Sequence, residues 1–297
     1  MSAWRTILVT KPCRLSMKNL QLLYEPKDGA SISVPLEDIT VIVLENNQAS
    51  MSVALLSMCA EKNIALFTCD NYHMPNGLFT PFHQHSRLSQ VAHLQREMKL
   101  PLKKQLWQKI ITQKITNQSQ MLEYFSKENL QLKLLIDKVK SGDSENLEAL
   151  AARRYWSLLF DDFRRDQKSQ GPRNVALNYG YAILRGAVAR SLVSYGLLPT
   201  FGVFHSSELN AYNLADDIIE PLRPMVDMVV KKLEIEDELD VHLSVSIKSA
   251  LLNVLVMQMR LEDENITVLN ICDVMAHSFV NAVKNSDATK LKLPSIL

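Results

Sequence analysis

The stretch "GLFTPFHQHSRLSQVAHLQREMKL", residues 77–100, is where the hydrophobic period of the chain changes. Before it, short runs rich in Val, Ile, Leu and Thr alternate with Lys, Asn, Asp, Gly and Pro. "RTILVT" (5–10), "NLQLLYE" (19–25), "ASISVPL" (30–36), "ITVIVLE" (39–45) and "IALFTCD" (64–70) read as strands. One helix interrupts them, because Ala54, Leu55, Met58 and Cys59 recur at helical spacing. A Pro-Asn-Gly turn signal in "NYHMPNGLFTPF" (71–82) precedes a last short strand. From 87 to 125, apolar residues fall every three to four positions with Lys, Gln and Arg between them, and Pro101 suits the first turn of a second helix. Further helices are expected at 145–165, 173–196, 208–235, 242–260 and 266–285, with loops at "KSGDS", "SQGP" and "GLLPTFG". The expected class is α+β: a β-rich N-terminal domain (1–80), a linker (81–86), a larger all-α domain (87–285) carrying the site, and a tail (286–297).

At 297 residues and 47% hydrophobic composition, the chain can bury the core of one large domain or the cores of two ordinary ones. No apolar run is long enough for a membrane span, and the first residues lack the basic and apolar regions of a secretory signal, so a cytoplasmic protein is expected. Cys13, Cys59, Cys69 and Cys272 have no CxxC spacing and are expected as reduced thiols. Net charge is +1, so charge distribution carries more than its total. Arg153, Arg154, Arg164, Arg165, Lys168 and Arg173 cluster shortly before an acidic segment. Such a basic neighbourhood is either a solvated helix face or a holder of DNA backbone.

The acidic segment is "HSSELNAYNLADDIIEPLRPMVD" (205–227), with five carboxylates, His205 and one basic residue, Arg223. Crowded acids repel unless a positive group sits among them. In a helix, Asp217 and Glu220 lie three apart on one face, within reach of one ion. Asp216 points about 100° away, toward solvent or a capping role. Pro221 and Pro224 predict a kink or break just beyond these acids. His205 closes the set from the preceding loop, and carboxylates with one imidazole suit Mg²⁺ or, better, Mn²⁺. The competing reading places Asp216 and Asp217 in a helix first turn and His205 in a plain loop.

A second acid, Glu148, shares a helical face with Ala151, Ala152, Tyr155 and Trp156, a surface that favours burial and therefore demands a partner for the carboxylate. Glu145 lies nearer the helix start, where capping explains it. His83 and His85 read as linker residues, and His73, His93, His242 and His277 are isolated. No P-loop, dinucleotide fingerprint or GxSxG elbow is present.

Four stretches, "EALAARRYW" (148–156), "NVALNYGYAILRG" (174–186), "GLLPTFGVFH" (196–205) and "LADDIIEPLRPMVD" (214–227), together resemble the CRISPR-associated integrase, the catalytic subunit of the spacer-acquisition machinery. The stretch "ITVIVLENNQASMSVALLSMCAEKNIALFTCDNYHMPNG" (39–77) looks most like type II systems. The resemblance implies metal ligation by Glu148, His205 and Glu220, with Asp217 a weaker candidate, and Mg²⁺ or Mn²⁺ as cofactor. It implies a homodimer formed through the β-rich domains, a smaller second adaptation protein as partner, and the type II effector nuclease as a further candidate partner. The implied reaction joins 3′-hydroxyl ends of a short captured duplex to the leader–repeat of the CRISPR array. Because a ligating His205 must be neutral, activity is expected to fall below about pH 6.5. Two alternatives stay open: a metal-dependent nuclease acting on branched DNA, and a non-catalytic DNA-binding scaffold. An isoprenoid-type synthase would explain "DDIIE" but neither the β-rich domain nor Glu148.

Overall fold

Strand β5 (Ile39–Leu44) is apolar apart from Thr40 and buried on both faces, the pattern of a strand flanked by parallel neighbours and covered on each side. It lies between β1 (Arg5–Val9) and β7 (Ala65–Cys69), both parallel to it, and β8 (Pro75–Phe79) closes the edge antiparallel to β7. A second sheet has the order β4 (Ile32–Pro35), β3 (Gln21–Pro26), β2 (Cys13–Lys18), β6 (Ser50–Met51). Strand β2 escaped the sequence reading because "CRLSMK" mixes polar residues into its run. Its period is two all the same: Cys13 and Leu15 are buried and Arg14 is exposed.

Between β6 and β7 runs α1 (Val53–Glu61), whose N-cap Ser52 accepts from Leu55 N. It presses Leu55 and Cys59 into a core with Leu15, Leu22, Ile42 and Leu66. The computed structural model describes residues 5–81, 88–161 and 163–297. It divides into two compact units, Met1–Gln84 and His85–Leu297. His83 and His85 lie outside the described residues, as does most of the expected linker.

The second unit is built around two long helices, α3 (Leu100–Tyr124) and α6 (Pro172–Ser194), each with proline in its first turn. Around them pack α2 (Leu88–Arg96), α4 (Leu130–Ile136), α5 (Leu147–Leu159), α7 (Asn213–Ile218), α8 (Arg223–Ile235), α9 (Val245–Asn253) and α10 (Val268–Asn285). The break expected at Pro221 is a 3₁₀ turn, Glu220–Leu222, between α7 and α8.

This unit is not all-α. Residues expected to end a helix at 260 instead form β9 (Gln258–Leu261), paired antiparallel with β10 (Glu264–Thr267). Burial alternates in β9, with Met259 and Leu261 inside and Gln258 and Arg260 outside. That period of two is a strand signal within a segment read as helical. The expected tail is also docked. Ser295 pairs with Arg260 through two backbone hydrogen bonds, and Leu291 and Ile296 are buried. Among the described residues no helix is long and apolar enough to cross a membrane.

Helices α6 and α8 meet at Gly180, where an added Cβ would collide with the Val226 side chain and crowd Leu251. Gly180→Ala is therefore expected to lower stability by about 1–3 kcal/mol. Urea unfolding of the variant against the parent checks this.

Candidate metal centre

Glu148 owes its direction to a cap that the sequence reading did not assign. Asp143 accepts from Leu147 N through Oδ1 (2.9 Å) and from Glu148 N through Oδ2 (3.0 Å), closing the first turn of α5. Glu145, the expected capping residue, instead pairs with Lys140 at the surface. With its turn fixed, Glu148 reaches α3, where its Oε1 lies 2.5 Å from Lys114 Nζ.

Glu220 arrives at the same ammonium from the 3₁₀ turn, its Oε2 also 2.5 Å from Lys114 Nζ. Its Oε1 accepts from Arg223 Nε at 2.9 Å. Burial pushes the Glu220 carboxyl up, but Arg223 and then Lys114 outweigh it and hold it at about 2. Burial likewise opposes the charge on Lys114, yet Glu220 and Glu148 keep that ammonium above its ordinary range. Glu220 is thus ionised, and the two carboxylates converge on one point. Oε2 of Glu220 is buried and, although in ion contact with Lys114, has no well-directed hydrogen bond.

Asp217 does a different job from the one its spacing suggested. Its side chain is fully buried and turns away from Glu220 into the loop before α7. Oδ2 accepts from Val203 N (2.5 Å) and Phe204 N (3.0 Å), while Oδ1 accepts from His205 N (3.1 Å) and lies 2.6 Å from His205 Nδ1. These contacts fill the acceptor sites of a carboxylate. Asp217 therefore orients the His205 ring through Nδ1, which leaves Nε2 as the other ring nitrogen. The hydrogen bond to Asp217, against the pull of burial, raises the imidazole above its ordinary value.

Gly202 makes this loop possible, since a Cβ there would strike the His205 carbonyl and the Asp217 carboxylate. Gln95 on α2 braces it from behind, donating to the carbonyls of Leu198 and Phe201 (both 2.8 Å) and accepting from Leu198 N. Phe204 stacks on Trp107 of α3, with ring centroids 4.3 Å apart.

Asp216, expected to face solvent or cap the helix, forms an ion pair with Arg185 and accepts from Asn210. A buried frame ties α5, α6 and α8 together: Tyr155 and Tyr181 both donate to Asp227, whose carboxyl burial pushes up to about 7. Arg223, the partner of Glu220, lies over the Tyr181 ring. Of the basic cluster, Arg165 is spent on Asn174 and Asn178 and Arg173 on Glu234. Arg153, Arg164 and Lys168 are exposed, and Arg154 is half-buried.

Asn117, one turn beyond Lys114, is fully buried and donates to the carbonyls of Pro221 (2.6 Å) and Pro294 (3.0 Å). It thereby ties the Glu220 turn to the C-terminal segment. Asn117→Ala leaves two carbonyls without their donor and is expected to cost about 1–3 kcal/mol; a lowered thermal midpoint would show it. The sequence reading missed Lys114, Asn117 and Gln95. A signal for Lys114 existed: it shares a helical stripe with Trp107, Ile110, Ile111 and Gln118, all buried, and a lysine on such a stripe needs an acid.

Among the described residues, no three His, Cys, Asp or Glu side chains are arranged as a ready metal site. The donor chemistry nonetheless fits a divalent cation: the carboxylates of Glu148 and Glu220 meet at Lys114, and Arg223 holds the other oxygen of Glu220. An oriented imidazole lies close enough for Glu220 to raise its pKa.

A family model described as CRISPR associated protein Cas1 matches residues 7–243. The chain is 42% identical over 297 residues to the CRISPR-associated endonuclease Cas1 of Neisseria meningitidis serogroup C (strain 8013), covering 99% of this chain and 97% of that protein. Among solved structures, a casposase bound to integration product superposes with a TM-score of 0.78 at 17% identity, covering 96% of this chain and 93% of that one. A Cas6-RT-Cas1–Cas2 complex superposes with a TM-score of 0.72 at 18% identity, covering 99% of this chain and 36% of that one. At those identities the two structures speak for the fold.

Proposed function

Since the chain belongs to the CRISPR-associated Cas1 family, we propose that it is the DNA integrase of CRISPR adaptation, joining captured duplex to the leader–repeat. One observation carries the reading: Glu148 and Glu220, from separate segments, converge on a single cationic point beside an imidazole oriented for ligation. Glu148, Glu220 and Nε2 of His205 would hold Mg²⁺ or Mn²⁺. When bound, that ion supplies charge neutralisation at the attacked phosphate and alignment of the attacking hydroxyl.

The joining step is a transesterification. A 3′-hydroxyl oxygen of the captured duplex bonds to phosphorus, the bond from that phosphorus to the 3′-oxygen of the target strand breaks, and that oxygen takes a proton. The nucleophile is the DNA's own, so no serine or cysteine is required of the protein. What this chain contributes is placement and charge. Arg223 and Lys114 keep Glu220 ionised, Asp217 presents His205, and Asp143 aims Glu148 through its helix turn. Exposed Arg153, Arg164 and Lys168 suit the DNA backbone, giving salt-sensitive binding.

We further assign the chain a homodimeric state through the β-rich unit, cytoplasmic location, and a smaller adaptation protein as partner. The presence of a Cas1–Cas2 complex among the structural neighbours supports that partner. In a type II setting the effector nuclease is an additional partner.

The test mixes the protein with its small partner, a labelled duplex with 3′-hydroxyl ends, a supercoiled plasmid carrying a repeat, and Mn²⁺. Label joined covalently to relaxed plasmid, and lost with EDTA, is the expected result. The relative's name, endonuclease, favours a second reading. Metal-dependent cutting without joining would support that nuclease reading over the integrase, and DNA binding with neither product would leave a scaffold.

A further inference from the structure

The charge between Glu148 and Glu220 belongs to the protein itself. Lys114 Nζ lies 2.5 Å from an oxygen of each carboxylate. Its side chain is 8% exposed, so water does little to screen the pair of contacts. Arg223 takes the other Glu220 oxygen. Two carboxylates therefore face two fixed cations, and the cluster is neutral without an added ion.

We propose that Lys114 is the resident counter-ion of this site, holding Glu148 and Glu220 together until a divalent cation displaces its ammonium. The inference rests on the metal-site reading above. One oxygen pair cannot serve both cations at close range, because an ammonium and a divalent ion squeezed onto the same two oxygens repel each other. Helix α3 anchors Lys114 through the neighbouring Trp107, Ile111 and Asn117, so displacement moves the side chain and not the helix. The flexible four-carbon stem and three rotatable donors of lysine suit that swing, which the rigid planar fork of arginine would not.

Displacement has a consequence for substrate. A site neutral with Lys114 and Arg223 in place gains two positive charges when the cation binds. The freed ammonium stays nearby. That surplus attracts a phosphodiester, so cation and DNA should strengthen each other's binding, and the free protein should hold the ion weakly.

The experiment measures Mn²⁺ binding by the full-length protein through loss of the free Mn²⁺ paramagnetic resonance signal, with and without a DNA duplex. The variants are Lys114→Met, Lys114→Gln and Glu148→Ala, each checked for folding by circular dichroism. Without DNA, Lys114→Met is expected to bind Mn²⁺ about tenfold tighter or more than the parent, since removing an adjacent like charge shifts such equilibria by about one to three powers of ten. DNA should tighten Mn²⁺ binding by the parent more than by the variant. Lys114→Gln provides the same reading if the methionine variant does not fold.

A measurement on the unaltered protein stands beside these. Acylation of Lys114 by an amine-reactive reagent, followed by mass spectrometry, should rise when Mn²⁺ is added. Variants that bind Mn²⁺ no tighter than the parent, while Glu148→Ala abolishes parental binding, would overturn the Lys114 assignment and leave the metal site standing. Labelling that stays flat or falls on Mn²⁺ addition overturns it too. If neither the parent nor any Lys114 variant binds Mn²⁺ with or without DNA, the metal-site reading itself is wrong.

Discussion

Glu148→Gln is expected to reduce strand joining by at least about a hundredfold while leaving the protein folded. The glutamine is nearly isosteric, and the cap on this helix turn uses the backbone N–H of residue 148, not its side chain. What disappears is one of the two negative charges that converge on Lys114. A cation bound by Glu220 and His205 alone has lost a charged ligand, so several kcal/mol of transition-state stabilisation go with it. The joining assay supplies the rate, and a thermal melt shows that the fold survives. A joining rate within threefold of the parent, in a folded variant, would remove Glu148 from the site.

Asp217→Asn should be comparably damaging by another route. The carboxylate accepts from three consecutive backbone N–H groups and from the His205 ring. An asparagine presents an NH₂ group to donors that need an acceptor, so at least one buried N–H loses its partner. The expected stability loss is about 2–4 kcal/mol, the upper part reflecting charge-assisted bonds. His205 also loses the group that fixes its ring, and joining should fall by about tenfold to a hundredfold, the range seen when an orienting partner is removed. Glu148→Gln and Asp217→Asn are thereby separable: the first keeps the Glu220 contacts to Lys114 and Arg223 and stays folded, while the second also strips buried backbone N–H groups of their acceptor. A normal melting curve for Asp217→Asn would contradict the assigned role.

The difference between Asp217 and Glu220 illustrates how far spacing can be trusted. Three residues apart on an ideal helix, they should share a face and an ion. The helix stops at Ile218, and Pro221 turns the next residues into a 3₁₀ segment. Asp217 then meets the loop before α7 while Glu220 meets α3. Proline marked the break in advance; the direction each acid takes after it depends on partners about 14 and 106 residues away in sequence, Val203 and Lys114, which no local period encodes. A similar limit governed the C-terminal unit. The strand β9 comes soon after α9 and is only four residues long, too short for its alternation to stand out against the helical periodicity before it.

Local sequence accounts for the class change near residue 80, most of the strands and long helices, and the candidacy of Glu148, His205 and Glu220. Each of these rests on local period, turn chemistry or motif order, which are properties of neighbouring residues. Long-range packing sets the rest: Lys114 between the two glutamates, Asp217 holding His205, and the final residues docked beside the Glu220 turn through Asn117. All three have one cause. A buried charge or donor must find its opposite wherever the fold brings one, and packing chooses that partner.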